Sequence, residues 1–194
     1  QPAYEEVVWA SYEGRDGEVD MGGAEAKVVE SGVAGPITVR IGYSAPNARR
    51  TDEVSLIKDS CKDAGFVIED VGNADFFDKT LPDGDYEVAL FAWAGSGQIT
   101  SGQNIYATGR GQNYGGFSNA DVDAAWDTLS TTLDTGEQLE QIIKIETLLW
   151  DNLYGIPVFA HPGVVAYDNT IQNVRDTATQ STVAWNAEQW VRAN

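Results

Sequence analysis

Residues 84–97 read Gly-Asp-Tyr-Glu-Val-Ala-Leu-Phe-Ala-Trp-Ala-Gly-Ser-Gly. Tyr86, Val88, Leu90 and Ala92 alternate with Glu87, Ala89, Phe91 and Trp93, so the segment is apolar on both faces. A strand of this kind is covered on both sides, which predicts a central place in an open α/β sheet. Behind it the chain turns glycine-rich at Gly95 and Gly97 and stays polar for some two dozen residues. A buried strand that ends in an aromatic side chain and permissive backbone is where such sheets meet a ligand.

The neighbouring segments supply the rest of that sheet. Ile37-Thr-Val-Arg-Ile-Gly-Tyr43 alternates and is β-branched, which predicts a strand. A turn at Ser44-Ala-Pro-Asn-Ala48 follows, and then a helix capped at Thr51 or Asp52 and running to Ala64, with Gly65 as its stop. Val54, Ile57, Cys61 and Ala64 share one face of it, so the cysteine is a packing residue. Phe66-Val-Ile-Glu-Asp-Val71 is the next strand, and the three segments make a βαβ unit. Upstream, residues 24–31 form a short helix stopped by Gly32, and residues 1–30 are a poorly defined lead-in. Asp16, Glu18 and Asp20 hint at a calcium loop, but Met21 and Lys27 stand where an EF-hand needs Gly and a bidentate Glu.

Downstream, residues 94–117 form a long polar segment in which Tyr106, Tyr114 and Phe117 imply docking. Ser118-Asn-Ala-Asp121 outlines a capping box, followed by Val122, Ala125, Trp126, Leu129 and Leu133 at helical spacing. A second helix starts at Asp134 or Thr135 and carries Leu139, Ile142, Ile143, Glu146, Leu149, Trp150 and Leu153 on its repeat. Ile156-Pro-Val-Phe-Ala160 and Gly163-Val-Val-Ala-Tyr167 read as paired strands around a His161-Pro-Gly turn.

The chemistry available excludes several classes. There are 30 acidic residues against 12 Lys and Arg, a formal net charge of -18, which repels nucleic acid and anionic lipid. One His and one Cys are too few for a His/Cys metal site, and Cys61 has no disulfide partner. Ser96 lacks the Gly-x-Ser-x-Gly setting of a nucleophile elbow, and Gly109-Arg-Gly-Gln-Asn-Tyr-Gly-Gly116 lacks the spacing of a phosphate loop. No catalytic, metal or cofactor residues are assigned, and the chain reads as a non-enzyme. At 194 residues it can bury one sizeable core.

The stretch Asp85-Tyr-Glu-Val-Ala-Leu-Phe-Ala-Trp93, with Asn113-Tyr-Gly-Gly-Phe-Ser-Asn-Ala-Asp-Val-Asp123, resembles the C-terminal lobe of extracytoplasmic solute-binding proteins of peptide-type ABC transporters (family 5). The resemblance runs from about Ala24 to Trp190 and is strongest over residues 84–162. It implies an α/β, periplasmic-binding-protein-like (type II) lobe, a mixed sheet flanked by helices. Residues 1–194 would be a single C-terminal lobe of a longer, two-lobed protein, with the tail 171–194 packing back on the other lobe. By position, Trp93, Ala94, Gly95 and Ser96 match the ligand wall, while Tyr43, Ser44, Asn113 and Tyr114 are further ligand-binding candidates. In familiar peptide binders of this family an aspartate soon after the tryptophan pairs with the peptide amine; here Gly95-Ser96-Gly97 stands there.

The function so implied is the substrate-binding component of an ABC importer, closing two lobes on a solute, foremost an oligopeptide, and delivering it to the permease. Its partners would be the solute, the permease subunits and the missing N-terminal lobe. Its place would be extracytoplasmic, periplasmic or lipid-anchored at the cell surface, with the anchor outside this chain. The missing acid motivates two alternatives: a non-transporting regulatory or scaffold protein of the cell envelope with the same fold, or a binder of a saccharide or glycolipid.

Overall fold

Local capping fixes where the helices begin in this computed structural model, which describes residues 19–96, 98–177 and 179–193. Asp20 accepts a hydrogen bond from the Gly23 amide at 2.8 Å and opens α1, Met21–Glu30. Asp20 is thus a cap, and Asp16 and Glu18 lie outside the described residues. Asn47 likewise accepts from the Arg50 amide at 3.1 Å and starts α2, Ala48–Cys61. The cap therefore lies one turn before Thr51, because the Asn47 side chain satisfies an amide the helix leaves free. A tighter turn, Lys62–Ala64, ends at Gly65 with φ 92°, a left-handed conformation that glycine adopts without penalty.

The chain divides into two compact units, one formed by residues up to Phe91 with Asn113–Phe117, the other by Ala92–Gln112 with the residues from Ser118 onward. In the first unit β1, Ile37–Gly42, and β2, Phe66–Asp70, are parallel, paired from Ile37 with Phe66 to Ile41 with Asp70. This is the βαβ unit expected from the sequence. β3, Val88–Ala89, adds in parallel on the other side of β1, giving the order β2-β1-β3. Ile41, Tyr43, Val54 and Ile68 form the core, with Val39, Ala45, Ile57, Cys61, Phe66 and Leu90 against it. Each Val, Ile, Leu or Phe among them contributes about 1.5–3 kcal/mol when fully buried.

The double-faced strand differs from its expected place. β1, not β3, is central; β3 lies at the edge of the sheet, and Val88 is 45% exposed. The alternation of residues 86–93 reports that the segment carries apolar groups on both faces. It does not say which side of the sheet supplies their cover. Arg40 ties this edge down. Its backbone amide donates to Glu87 at 2.8 Å, and its guanidinium reaches Glu87 at 2.9 Å and Asp85 at 2.6 Å. These bonds hold the Glu87 carboxyl below its ordinary range.

In the second unit α3, Gln103–Tyr106, precedes α4, Ala120–Thr131, and α5, Thr135–Asp151. Val122, Ala125, Trp126 and Leu129 of α4 are buried, as their spacing predicts, and α5 contributes Ile145 and Leu149. Asn119, not Ser118, caps α4, accepting from the Asp121 and Val122 amides. The Ser118 hydroxyl instead accepts from Thr108 at 3.2 Å. Leu133 and Leu153 fall outside the helices and are 94% and 80% exposed. Tyr106 stacks on Trp126 with planes 3° apart and meets Tyr154 edge-on, so the long polar segment is indeed docked.

The tail closes with β4, Ile171–Gln172, antiparallel to β5, Val191–Arg192. Asn186, fully buried between them in sequence, donates to the Asn173 carbonyl and accepts from the Trp190 indole. Residues 156–167 depart from expectation: they run as irregular backbone, without the paired strands their composition predicts. A hairpin alone is marginally stable in water, and Ile156, Val158 and Val164 stay exposed here.

Candidate functional site

In the first unit the parallel strands all end at one edge of the sheet, where α/β sheets take their ligands. From β1 the chain continues into Tyr43 and Ser44. Tyr43 is 2% exposed; its hydroxyl donates to Asp70 at 2.9 Å and lies 2.7 Å from that of Thr51. Burial raises its pKa, so the phenol stays neutral. This residue, a ligand candidate from the sequence, is a core residue that locks β1, β2 and α2 together. Ser44 bridges in parallel to Asn73, and the Ala45 amide donates to the Asn73 carbonyl at 3.0 Å.

The same edge carries an aromatic cluster. β3 leads into Phe91, whose ring meets Phe77 at 6.1 Å and Tyr114 at 6.4 Å, both edge-on. Phe77 is set by a wide helical turn, Phe76–Thr80, whose first residue is wholly buried and holds the turn against the sheet. Tyr114 is set by Asn113, which donates to the Phe117 carbonyl at 2.7 Å and accepts from its amide at 3.0 Å. Asn113 thus clasps a five-residue loop that turns at Gly116, where φ is 64°. Phe77 and Tyr114 remain 49% and 39% exposed. Sequence reasoning named Asn113 and Tyr114 but missed Phe77 and Phe91. The doublet Phe76-Phe77 was the available signal, since two consecutive aromatics on a helical turn cannot both face the core.

In the second unit Trp93 is 42% exposed at the start of the segment that follows Phe91. Ala94, Gly95 and Ser96 are exposed as well. The Gly95 carbonyl accepts from the Gln180 amide at 3.0 Å, the Gln180 side chain donates to the Ala94 carbonyl, and Gly95 bridges to Thr179. Ser96 folds its hydroxyl back onto Gln98 and Ser101 at 2.9 and 2.7 Å. The wall expected from the sequence is therefore braced by the tail, a long-range contact that no local signal announces. Elsewhere in this unit Gln103, Thr108, Gly109, Arg110, Asp123 and Asp127 line an open polar depression of about 340 Å³, which includes none of the residues selected from the sequence.

The cluster of the first unit offers aromatic faces and a phenol, and the second unit by itself offers the exposed face of Trp93. Such groups bind a solute by stacking and hydrogen bonding. No family model matches the chain. An uncharacterised lipoprotein of Mycobacterium tuberculosis is 28% identical over 164 residues, which is 81% of this chain and 29% of the lipoprotein. The chain thus spans less than a third of that relative's length. The oligopeptide-binding protein OppA of the same species is 28% identical over 99 residues, half of this chain and 17% of its own length.

Among solved structures, the periplasmic EDTA-binding protein EppA superposes with a TM-score of 0.80 at 19% identity, over 90% of this chain and 35% of EppA. The oligopeptide-binding protein AppA of Bacillus subtilis, in complex with a nonapeptide, gives 0.70 at 13% identity, over 91% of this chain and 38% of AppA. The chain thus shares the fold of the matched region of these solute-binding proteins, a periplasmic-binding-protein-like fold, as the resemblance of residues 85–123 implied.

Proposed function

We propose that this chain is the C-terminal lobe of the solute-binding component of an ABC importer, and that its solute is foremost an oligopeptide. The observation that carries the reading is the aromatic cluster of the half-buried Phe91 with the exposed Phe77 and Tyr114 at the carboxyl edge of a parallel sheet, in a fold shared with solute-binding proteins. Rigid aromatic faces take up peptide side chains at low entropic cost. In the second unit the expected wall of Trp93, Ala94, Gly95 and Ser96 contributes the exposed face of Trp93, since the tail and Ser101 already engage its carbonyls and hydroxyl. Without an aspartate after Trp93, capture relies on hydrogen bonds rather than on an ion pair with the amine.

In this reading a second lobe contributes the other half of the site. Ligand that contacts both lobes shifts an open–closed equilibrium, and the closed form docks on the permease. The lipoprotein relative supports an extracytoplasmic, lipid-anchored location. The likeness to an EDTA-binding protein, and to NikZ of Campylobacter jejuni solved in complex with Ni(L-His), favours a second reading, capture of a chelator or its metal complex.

Native mass spectrometry of the full-length protein, purified gently from peptide-rich medium, tests both. A retained peptide, lost in F77A and Y114A variants that keep their melting temperature, supports the proposal. Retention of a metal chelate in its place supports the second reading. An empty protein whose melting temperature is unmoved by mixed peptides or by chelates overturns both and returns the fold to a scaffold role.

A further inference from the structure

The aromatic cluster of the first unit has an electrostatic character as well as an apolar area. Phe77 and Tyr114 stand at 82° and 80° to the plane of Phe91, so these rings meet edge-on and do not stack. An edge-on contact covers a face of only one ring of the pair. Tyr114 meets Phe91 alone among the described rings, so at least one of its faces lies against no other ring, and the side chain is exposed. The face of such a ring carries the negative part of its quadrupole, which attracts a cation. The charges nearby have the sign that suits one. No Lys or Arg stands between Lys79 and Arg110 or within residues 113–117, whereas Asp83, Asp85 and Glu87 fall in the first of these stretches. The cations on either side of it in the sheet are engaged: Lys79 with Asp75 at 2.6 Å, and Arg40 with Asp85 and Glu87 at 2.6 and 2.9 Å. Asp78, next to Phe77, forms no ion pair among the described residues. The net charge of -18 draws further cations toward the surface.

We propose that Phe77, Phe91 and Tyr114 form a cation–π site for an organic ammonium group, and that the solute carries its positive charge at the end lodged among these rings. The proposal deepens the reading of this cluster as the solute site and rests on it. Ring faces add to hydrogen bonding an attraction that needs no carboxylate. They suit a cation whose charge is shared with alkyl groups, since such a cation packs on the rings as an apolar body while its charge meets their faces. Two sources offer this chemistry, a quaternary amine and the amino terminus of a peptide.

Isothermal titration calorimetry on the full-length protein tests the inference with two pairs of probes. The first is choline with its neutral tert-butyl isostere, in which carbon replaces the quaternary nitrogen. The second is tetraalanine with its N-acetylated form. The charged member of at least one pair is expected to bind about 3- to 30-fold more tightly than the neutral one. F77L and Y114L keep apolar bulk and net charge but remove a π face, and each is expected to bring that ratio toward unity at an unchanged melting temperature. General attraction of a cation to an acidic protein would survive both substitutions. A preference that the substitutions abolish supports the proposal, and the pair that shows it names the source. No preference in either pair, or one untouched by both substitutions, overturns the proposal. Tetraalanine bound equally well with its amine free or blocked, and choline bound no better than its isostere, leaves the oligopeptide reading standing and removes only this inference. Choline preferred by a protein that binds no peptide does the converse.

Discussion

Single positions show how closely the first unit is fitted. A Cβ at Gly72 would lie 2.5 Å from the Tyr43 ring, inside any permitted contact, and the ring cannot retreat because its hydroxyl is held by Asp70. Gly72→Ala is expected to cost about 1–3 kcal/mol, the usual penalty of overpacking, read as a lower urea midpoint with unchanged slope. Glu146 tests the opposite case, a charge on the half-buried face of α5. Burial raises its pKa, so between the ordinary glutamate value and the raised one the folded state binds more protons than the unfolded state. Stability therefore falls as pH rises through that window, and the penalty is fully present above it. E146Q is expected to melt higher than the parent at pH 7, with the gap closing as pH drops below the ordinary carboxylate range. A gap that does not change with pH would refute the assignment. The sequence placed Glu146 on the helical repeat, and that placement made it legible; the burial of Tyr43 was not, because an aromatic at a strand's end reads equally as wall or as core.

At the scale of elements, the caps decide the helix ends. Asn119→Ala removes the acceptor for two amides of α4 and is expected to cost about 1 kcal/mol, with faster hydrogen exchange confined to the first turn. Ser118→Ala should leave that turn unchanged, since its hydroxyl serves Thr108. Helix positions were legible because the cap and the 3.6-residue period lie within the segment itself. Cap identity was less so: Ser118 and Asn119 are both good caps, and only the backbone decides between them. Strands were legible where a neighbour in the chain pairs with them, as β1 and β2 do. The edge position of β3 depends on partners that periodicity does not name. For residues 156–167 the composition of a strand is plain, while among the described residues no ladder pairs with it.

The whole molecule carries a net charge of -18, and like charges held close together oppose compaction. Adding salt at pH 7, from about 10 mM to about 150 mM, shrinks the screening length from about 30 Å to about 8 Å. The melting temperature is expected to rise over that range, measured by scanning calorimetry with a non-coordinating salt. A fall would mean that the pairs of Arg40 with Glu87 and Asp85 outweigh the general repulsion. The family likeness was readable from two motifs, whereas the bracing of Gly95 by Gln180 was not, since residues so far apart in sequence share no local pattern. The backbone leaves the first unit after Phe91, returns for Asn113–Phe117, and leaves again. No single cleavage, by a protease or by an engineer, therefore releases either unit whole. A cut after Phe91 strips that ring of Tyr114, and a cut after Phe117 carries Trp93 and its polar segment away with the wrong fragment.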